Sequence, residues 1–248
     1  MAYSLVRSRH INGQLVFYDS EYLQRWVDAI GPNAVKYLDD FNAVQGTSLE
    51  GWTETASGTS GALSYDEDGG VLFLYTAGDD GDSIQIQKLG GYRAGVNDPL
   101  YFGVRWKITG TTGAGSCGIA MGLCIEDTAV HGPAGVSDGI YFYSGSAETT
   151  IQLRTELNST AGTSTAGTIA VDTYYIDEFY FNGAATTGAT TVQHWHDGTY
   201  IGAISSSTIC GDEALGITLG FMNDAAHPSA TTGLCVDWVR AIQLLGSR

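Results

Sequence analysis

The sequence predicts an all-β protein, two antiparallel sheets packed face to face as a sandwich, preceded by a short N-terminal arm. Three observations carry that prediction. From Asp40 onward, apolar residues recur with period two in about a dozen short runs. The chain uses 34 glycines but only 4 prolines, which suits tight turns between strands. Only one stretch places apolar residues at helical spacing. Hydrophobic residues make up 43% and charged residues 15% of the 248, so a sizeable core can form. One sandwich of this length is ordinary, and two smaller domains is the rival count.

The arm is expected to span residues 1–38 and the body residues 39–248. In the arm, Asn12-Gly13 before the alternating Gln14-Leu15-Val16-Phe17-Tyr18 predicts a hairpin with a type I′ turn. Tyr22, Trp26 and Ile30, at i, i+4 and i+8, predict a short amphipathic helix stopped by Gly31-Pro32. In the body, Val71–Tyr75, Ser83–Gln87 and Leu100–Ile108 read as strands. Ser116–Ile125 reads as a strand buried on both faces. Gly139–Tyr143, Thr150–Leu153, Tyr174–Phe181, Thr191–Trp195, Tyr200–Ile204, Ile217–Met222 and Leu234–Leu244 continue the series. The low-complexity tract Asn158–Thr168 is expected to be an exposed loop.

Charge narrows the partners. The formal net charge is −16, and residues 1–38 carry four bases against three acids, +1, which leaves −17 for the rest. A strongly acidic body would repel phosphates, so no nucleic-acid partner is expected. No apolar run approaches the roughly 18 to 20 residues of a membrane span, and no secretory signal opens the chain, so synthesis and folding in the cytoplasm are expected. Cys117, Cys124, Cys210 and Cys235 lack the CxxC spacing of a zinc site and are expected to be buried free thiols.

Motifs that would carry chemistry are scarce. A glycosidase on this kind of sandwich needs paired carboxylates, for which Glu-x-Asp-x-Glu on one strand would be the signature, and no such string occurs. Asp177 and Glu178 are adjacent, hence on opposite faces. Asp66-Glu67-Asp68-Gly69 and Asp79-Asp80-Gly81-Asp82 are either solvated turns or loose cation loops. For His194-Trp195-His196-Asp197 three roles are open. The two histidines, on one face, could ligate a metal with a third residue. Trp195 could stack on a sugar, with His194, His196 and Asp197 giving hydrogen bonds. Or the segment is a strand and an Asp-Gly turn, with Trp195 in the core and the histidines outside. There is no GxSxG, GxGxxG or P-loop. No enzyme activity, metal or cofactor is expected.

Two resemblances add to this. Tyr174–Gly183, followed by Thr191-Val192-Gln193-His194-Trp195-His196-Asp197-Gly198-Thr199-Tyr200-Ile201-Gly202, resembles consecutive strands of concanavalin A-like (laminin G-like) jelly rolls. Leu38-Asp39-Asp40-Phe41 and Cys235–Ile242 resemble the opening and closing of such domains. Tyr3–Asp19 resembles the N-terminus of tailed-phage virion proteins. Together they imply a jelly-roll protein on the virion surface, made in the host cytoplasm: a homo-oligomeric capsid decoration (cement) protein bound to the major capsid protein lattice. Its attachment residues would lie in the arm, at Arg7, Arg9, Ile11, Leu15, Phe17, Trp26 and Ile30. A carbohydrate-binding module or adhesin for host surface glycans is the alternative on the same fold.

Overall fold

In the computed structural model, the alternating runs become two stacked antiparallel sheets with a third, small sheet laid on one of them. Described are residues 6–42, 49–58, 60–65, 70–76, 81–110, 117–127, 129–131, 135–145, 148–184, 191–205, 207–211, 213–223 and 232–246. The strands are β1 (Val6–Ile11), β2 (Gln14–Asp19), β3 (Trp26–Ile30), β4 (Ala34–Asp39), β5 (Thr53–Ser57), β6 (Ser60–Tyr65), β7 (Val71–Thr76), β8 (Ser83–Tyr92) and β9 (Leu100–Thr109). They continue as β10 (Cys117–Cys124), β11 (Gly139–Ser144), β12 (Thr150–Leu157), β13 (Thr160–Thr168), β14 (Tyr175–Phe181), β15 (Val192–His196), β16 (Thr199–Ile204), β17 (Leu215–Asn223) and β18 (Gly233–Leu244).

The arm sheet has the order β1-β2-β3. A seven-stranded sheet runs β13-β12-β11-β10-β17-β8-β5, and an eight-stranded sheet runs β16-β15-β14-β9-β18-β7-β6 with β4 beside the second half of β18. Residue 38, the expected boundary, therefore lies inside a strand of the larger sheet. The two large sheets meet over one core. Phe102, Val104, Trp106 and Ile108 of β9 face Ile119, Met121 and Leu123 of β10 and Ile217, Leu219 and Phe221 of β17. Phe179 stacks on Phe102 in its own sheet (5.3 Å) and meets Phe142 of the opposite sheet at 5.9 Å. Each such side chain contributes about 1.5–3 kcal/mol by leaving water.

Three expectations hold in detail. Asn12 and Gly13 take φ of 48° and 76° and turn β1 into β2, as a type I′ hairpin requires. Asp197-Gly198 does the same between β15 and β16 (φ 51° and 80°). β10 is buried along its whole length, with Cys117 in the main core and Cys124 on the opposite face.

Two expectations fail. No helix forms over Glu21–Ile30. Residues 21–24 make a turn, and Trp26–Ile30 is a strand paired with β2, with Val27 bulged opposite the step from Phe17 to Tyr18. A helix this short is marginal by itself, whereas the strand satisfies its backbone on β2 and buries Trp26 and Ala29 together. The tract Asn158–Thr168 is no loop. Asn158 and Ser159, with φ of 49° and 60°, form a tight turn, and β13 pairs with β12 as an edge strand. Threonine, β-branched, suits a half-exposed strand, which low complexity disguised.

All four cysteines are free and buried. Burial pushes the Cys117 and Cys210 thiols up to about 12 and Cys124 further still, so thiolate is scarce at neutral pH. Mass measurement after alkylation should show no modified cysteine on the native protein and four after denaturation without reductant. A disulfide-linked pair would contradict this.

Candidate functional site

The His194-Trp195-His196-Asp197 segment is the strand and Asp-Gly turn of the third reading, but with its two faces exchanged. Val192, His194 and His196 of β15 point between the sheets, and Trp195 points out of the sandwich. His194 Nε2 shares a 2.9 Å hydrogen bond with Ser164 Oγ of β13. His196 Nδ1 bonds Asp177 Oδ1 at 2.9 Å, and Trp106 Nε1 donates to Asp177 Oδ2 at 2.7 Å. Tyr175 stacks on the His196 ring. Burial pushes His194 down to about 4, and neighbouring His196 adds to the effect. Burial also opposes charge on His196, but the hydrogen bond and charge of Asp177 leave it above its ordinary value. Asp197 accepts the Ile176 amide at 3.0 Å. Among the described residues no group of three His, Cys, Asp or Glu could hold a metal. The acidic runs at Asp66–Gly69 and Asp79–Asp80 lie outside the described residues.

Trp195 is covered by Tyr22 of the arm (5.9 Å) and by Tyr200 (5.6 Å), and only 1% of it is exposed, so it offers no ring face to a sugar. The same outer face of the eight-stranded sheet carries the arm. Arg25 Nε donates to Glu178 Oε2 at 2.7 Å, Tyr101 donates to Glu178 Oε1 at 2.7 Å, and Asp19 lies 3.5 Å from Arg25. Burial raises the Glu178 carboxyl against the pull of Arg25. Burial also works against the guanidinium, but Glu178 outweighs it and holds Arg25 above its usual value. Trp26 packs edge-on to Tyr180 at 5.3 Å and against Tyr101, beside Val16, Ala29, Ile242 and Leu244.

Trp26 was expected to anchor a partner. It is 1% exposed and anchors the arm to the chain's own sheet instead. Ile11 partly joins that contact. Arg7 and Arg9 are exposed on β1. Leu15 and Phe17 point away from the body, in register with Ile30 and Asp28 of β3 and with His10 and Ser8 of β1. Half-exposed themselves, they share this face of the arm with Val6 (50% exposed) and Ile30 (54%).

The outer face of the seven-stranded sheet was not legible as a site. Half of it is filled by the chain itself. Val130 and His131 lie over Gly118, Ala120 and Gly220, where a Cβ on Gly220 would come within 2.9 Å of the His131 ring. Gln85 and Gln87 clamp the chain there: Val130 N and Asp127 N donate to their side-chain oxygens, and Gln87 Nε2 donates to Ile125 O. The open half carries Arg154 stacked 3.7 Å above Tyr143, next to Tyr141, which donates to Glu156.

No family model matches the chain, and no curated relative does. Solved structures do. An endo-1,3-beta-glucanase from Streptomyces sioyaensis superposes with a TM-score of 0.61 at 10% identity, over 88% of this chain and 99% of that one. The Emp46p carbohydrate recognition domain gives 0.57 at 10%, over 82% and 94%. A conserved carbohydrate esterase from the Shiga toxin-encoding bacteriophage phi24B gives 0.50 at 16%, over 85% and 97%. At such identities the likeness is one of fold, and the fold is that of the concanavalin A-like lectins and glucanases.

Proposed function

We propose that the protein is a non-enzymatic virion structural protein, a capsid decoration protein attached through the free face of its arm sheet. The observation that carries this is that face: exposed Val6 and Ile30 and half-exposed Leu15 and Phe17 lie on a sheet whose other side is fixed to the body by a buried ion pair and Trp26. An apolar row bordered by Ser8, His10 and Asp28 has the anatomy of a protein interface, while Arg7 and Arg9, in register with Tyr18 and Val16, are exposed on the other face of the edge strand. The partner is the major capsid protein lattice, and copies of the chain assemble on it as a homo-oligomer at the virion surface. A structural role is also supported by Asp177 and Glu178, which are held on opposite faces by Trp106, His196, Arg25 and Tyr101.

A second reading, binding of surface glycans, is favoured by the half-exposed Tyr143–Arg154 pair on the opposite side of the molecule and by the fold shared with the Emp46p domain. Co-sedimentation with undecorated particles separates the two. Phe17→Asp and Ile30→Asp, outside the core, should fold normally and weaken particle binding at least tenfold, because buried apolar anchors dominate interfaces. Undiminished binding by both variants would overturn the attachment surface. Saturable polysaccharide binding lost in Tyr143→Ala would favour the second reading.

A further inference from the structure

Beyond the arm, the outer face of the eight-stranded sheet gathers half-exposed cations and rings in a chain that is otherwise acidic. Arg105 and Lys107 of β9 alternate with the core residues Trp106 and Ile108, so both point outward. The Arg105 guanidinium lies 4.0 Å from the Tyr174 ring centre, and Lys107 Nζ lies 4.6 Å from the same ring. On β18, whose Trp238 is in register with Arg105, Arg240 sits 4.4 Å over the Trp238 ring. Asp237 pairs with Arg105, and Asp172, bonded to Thr109, closes one end. Arg240 also faces Glu178, whose own partner is Arg25, so four cations stand among three carboxylates, +1, against −16 for the whole chain. No ion pair among the described residues engages Lys107.

We infer that this strip is a binding site for a carboxylated polysaccharide. Cation–π contacts hold the charged heads in place before binding, which lowers the ordering cost. Rings beside cations match a sugar polymer, whose C–H faces pack on aromatics while its carboxylates meet Arg and Lys. A protein partner fits less well, since an interface needs an apolar centre and, of the large exposed hydrophobic residues, only Leu38 borders the strip, at its edge beside Arg240. A nucleic acid fits less well too, because its dense phosphates would meet Asp237 and the acidic body. The strip lies one layer below the arm's free face and at the other end of the sheet, so the inference does not rest on the attachment proposed above.

Affinity electrophoresis of the whole protein through gels containing polygalacturonate, alginate or neutral dextran tests this. Retardation by the two acidic polymers and none by dextran is expected, fading as salt is raised. Lys107→Gln and Tyr174→Ala should each weaken retardation at least fivefold with an unchanged melting temperature, and Lys107→Arg should retain it. Three outcomes would overturn the inference: no retardation at low salt, retardation that survives both strip variants but is lost in Arg154→Gln, or equal retardation by single-stranded DNA.

Discussion

Replacing Arg25 by Ala is expected to lower the unfolding free energy by about 3–5 kcal/mol, because it strands a buried carboxylate. Glu178 is 1% exposed and has two partners, Arg25 and Tyr101. Removing the cation leaves the Tyr101 hydroxyl alone to solvate an anion taken out of water. The pH dependence follows from the sign of the shift. The folded pKa of Glu178 lies above its ordinary value, so the folded state favours the protonated form. That contribution is complete below the unfolded pKa and is lost as pH rises through the folded one. Loss of Arg25 raises the folded pKa further, so the deficit should be large at pH 7 and shrink toward pH 4. Urea denaturation at both pH values measures it. Glu178→Gln placed on Arg25→Ala should recover part of the loss, and a fully additive double mutant would show that the pair is not coupled.

Acid is expected to destabilise the protein well above the carboxylate range. His194 is buried and both ring nitrogens of half-buried His131 are out of water, which pushes each from an ordinary 6.5 to about 4. The unfolded chain therefore binds more protons than the folded one between these values. The stabilising contribution is complete above about pH 6.5 and is lost as pH falls toward 4, by about 3 kcal/mol for each histidine. His196 works the other way. Its pKa is raised in the fold by Asp177, so its contribution is present below about pH 6.5 and fades as pH rises through the folded value. His196 and the raised Glu178 carboxyl offset part of this, and the two histidines set the net loss on acidification. Urea midpoints from pH 7.5 to 4 should fall steadily, and His131→Gln or His194→Gln should each flatten the curve. A flat wild-type profile across that range would refute the assignment.

Alternation told which residues share a face, but not which way the face looks. His194 and His196 do lie together, and Trp195 does lie opposite. The inward and outward sides were exchanged because both are buried: one by the second sheet, the other by Tyr22 of the arm. A side chain's hydrophobicity cannot reveal its orientation when neither face meets water. The arm misled for a related reason. Tyr22, Trp26 and Ile30 have helical spacing, yet a bulge at Val27 shifts strand parity so that Trp26 and Ala29 are buried together. The glutamine clamp stayed hidden because Gln85 and Gln87 bond to backbone some 40 residues away, and no local pattern records such a partner. The Asn-Gly and Asp-Gly turns were legible because their geometry is set by adjacent residues alone.

The place of β18 bears on how the protein is made. This strand follows all the other described strands, yet it lies inside the eight-stranded sheet, hydrogen-bonded to β9 along one side and to β7 and β4 along the other. Until it leaves the ribosome, β7 and β9 have no neighbour between them, and the apolar row of Leu234, Val236, Val239 and Ala241 that closes the core is missing. Assembly therefore waits on the end of this domain rather than proceeding strand by strand during synthesis, and pairings so distant in sequence close slowly. Through that interval the nascent chain carries two open strand edges rich in Leu, Phe and Val, the kind of surface that adheres to other unfinished copies. A chain cut short before Gly233 would hold all but one of the described strands and a sheet that cannot close.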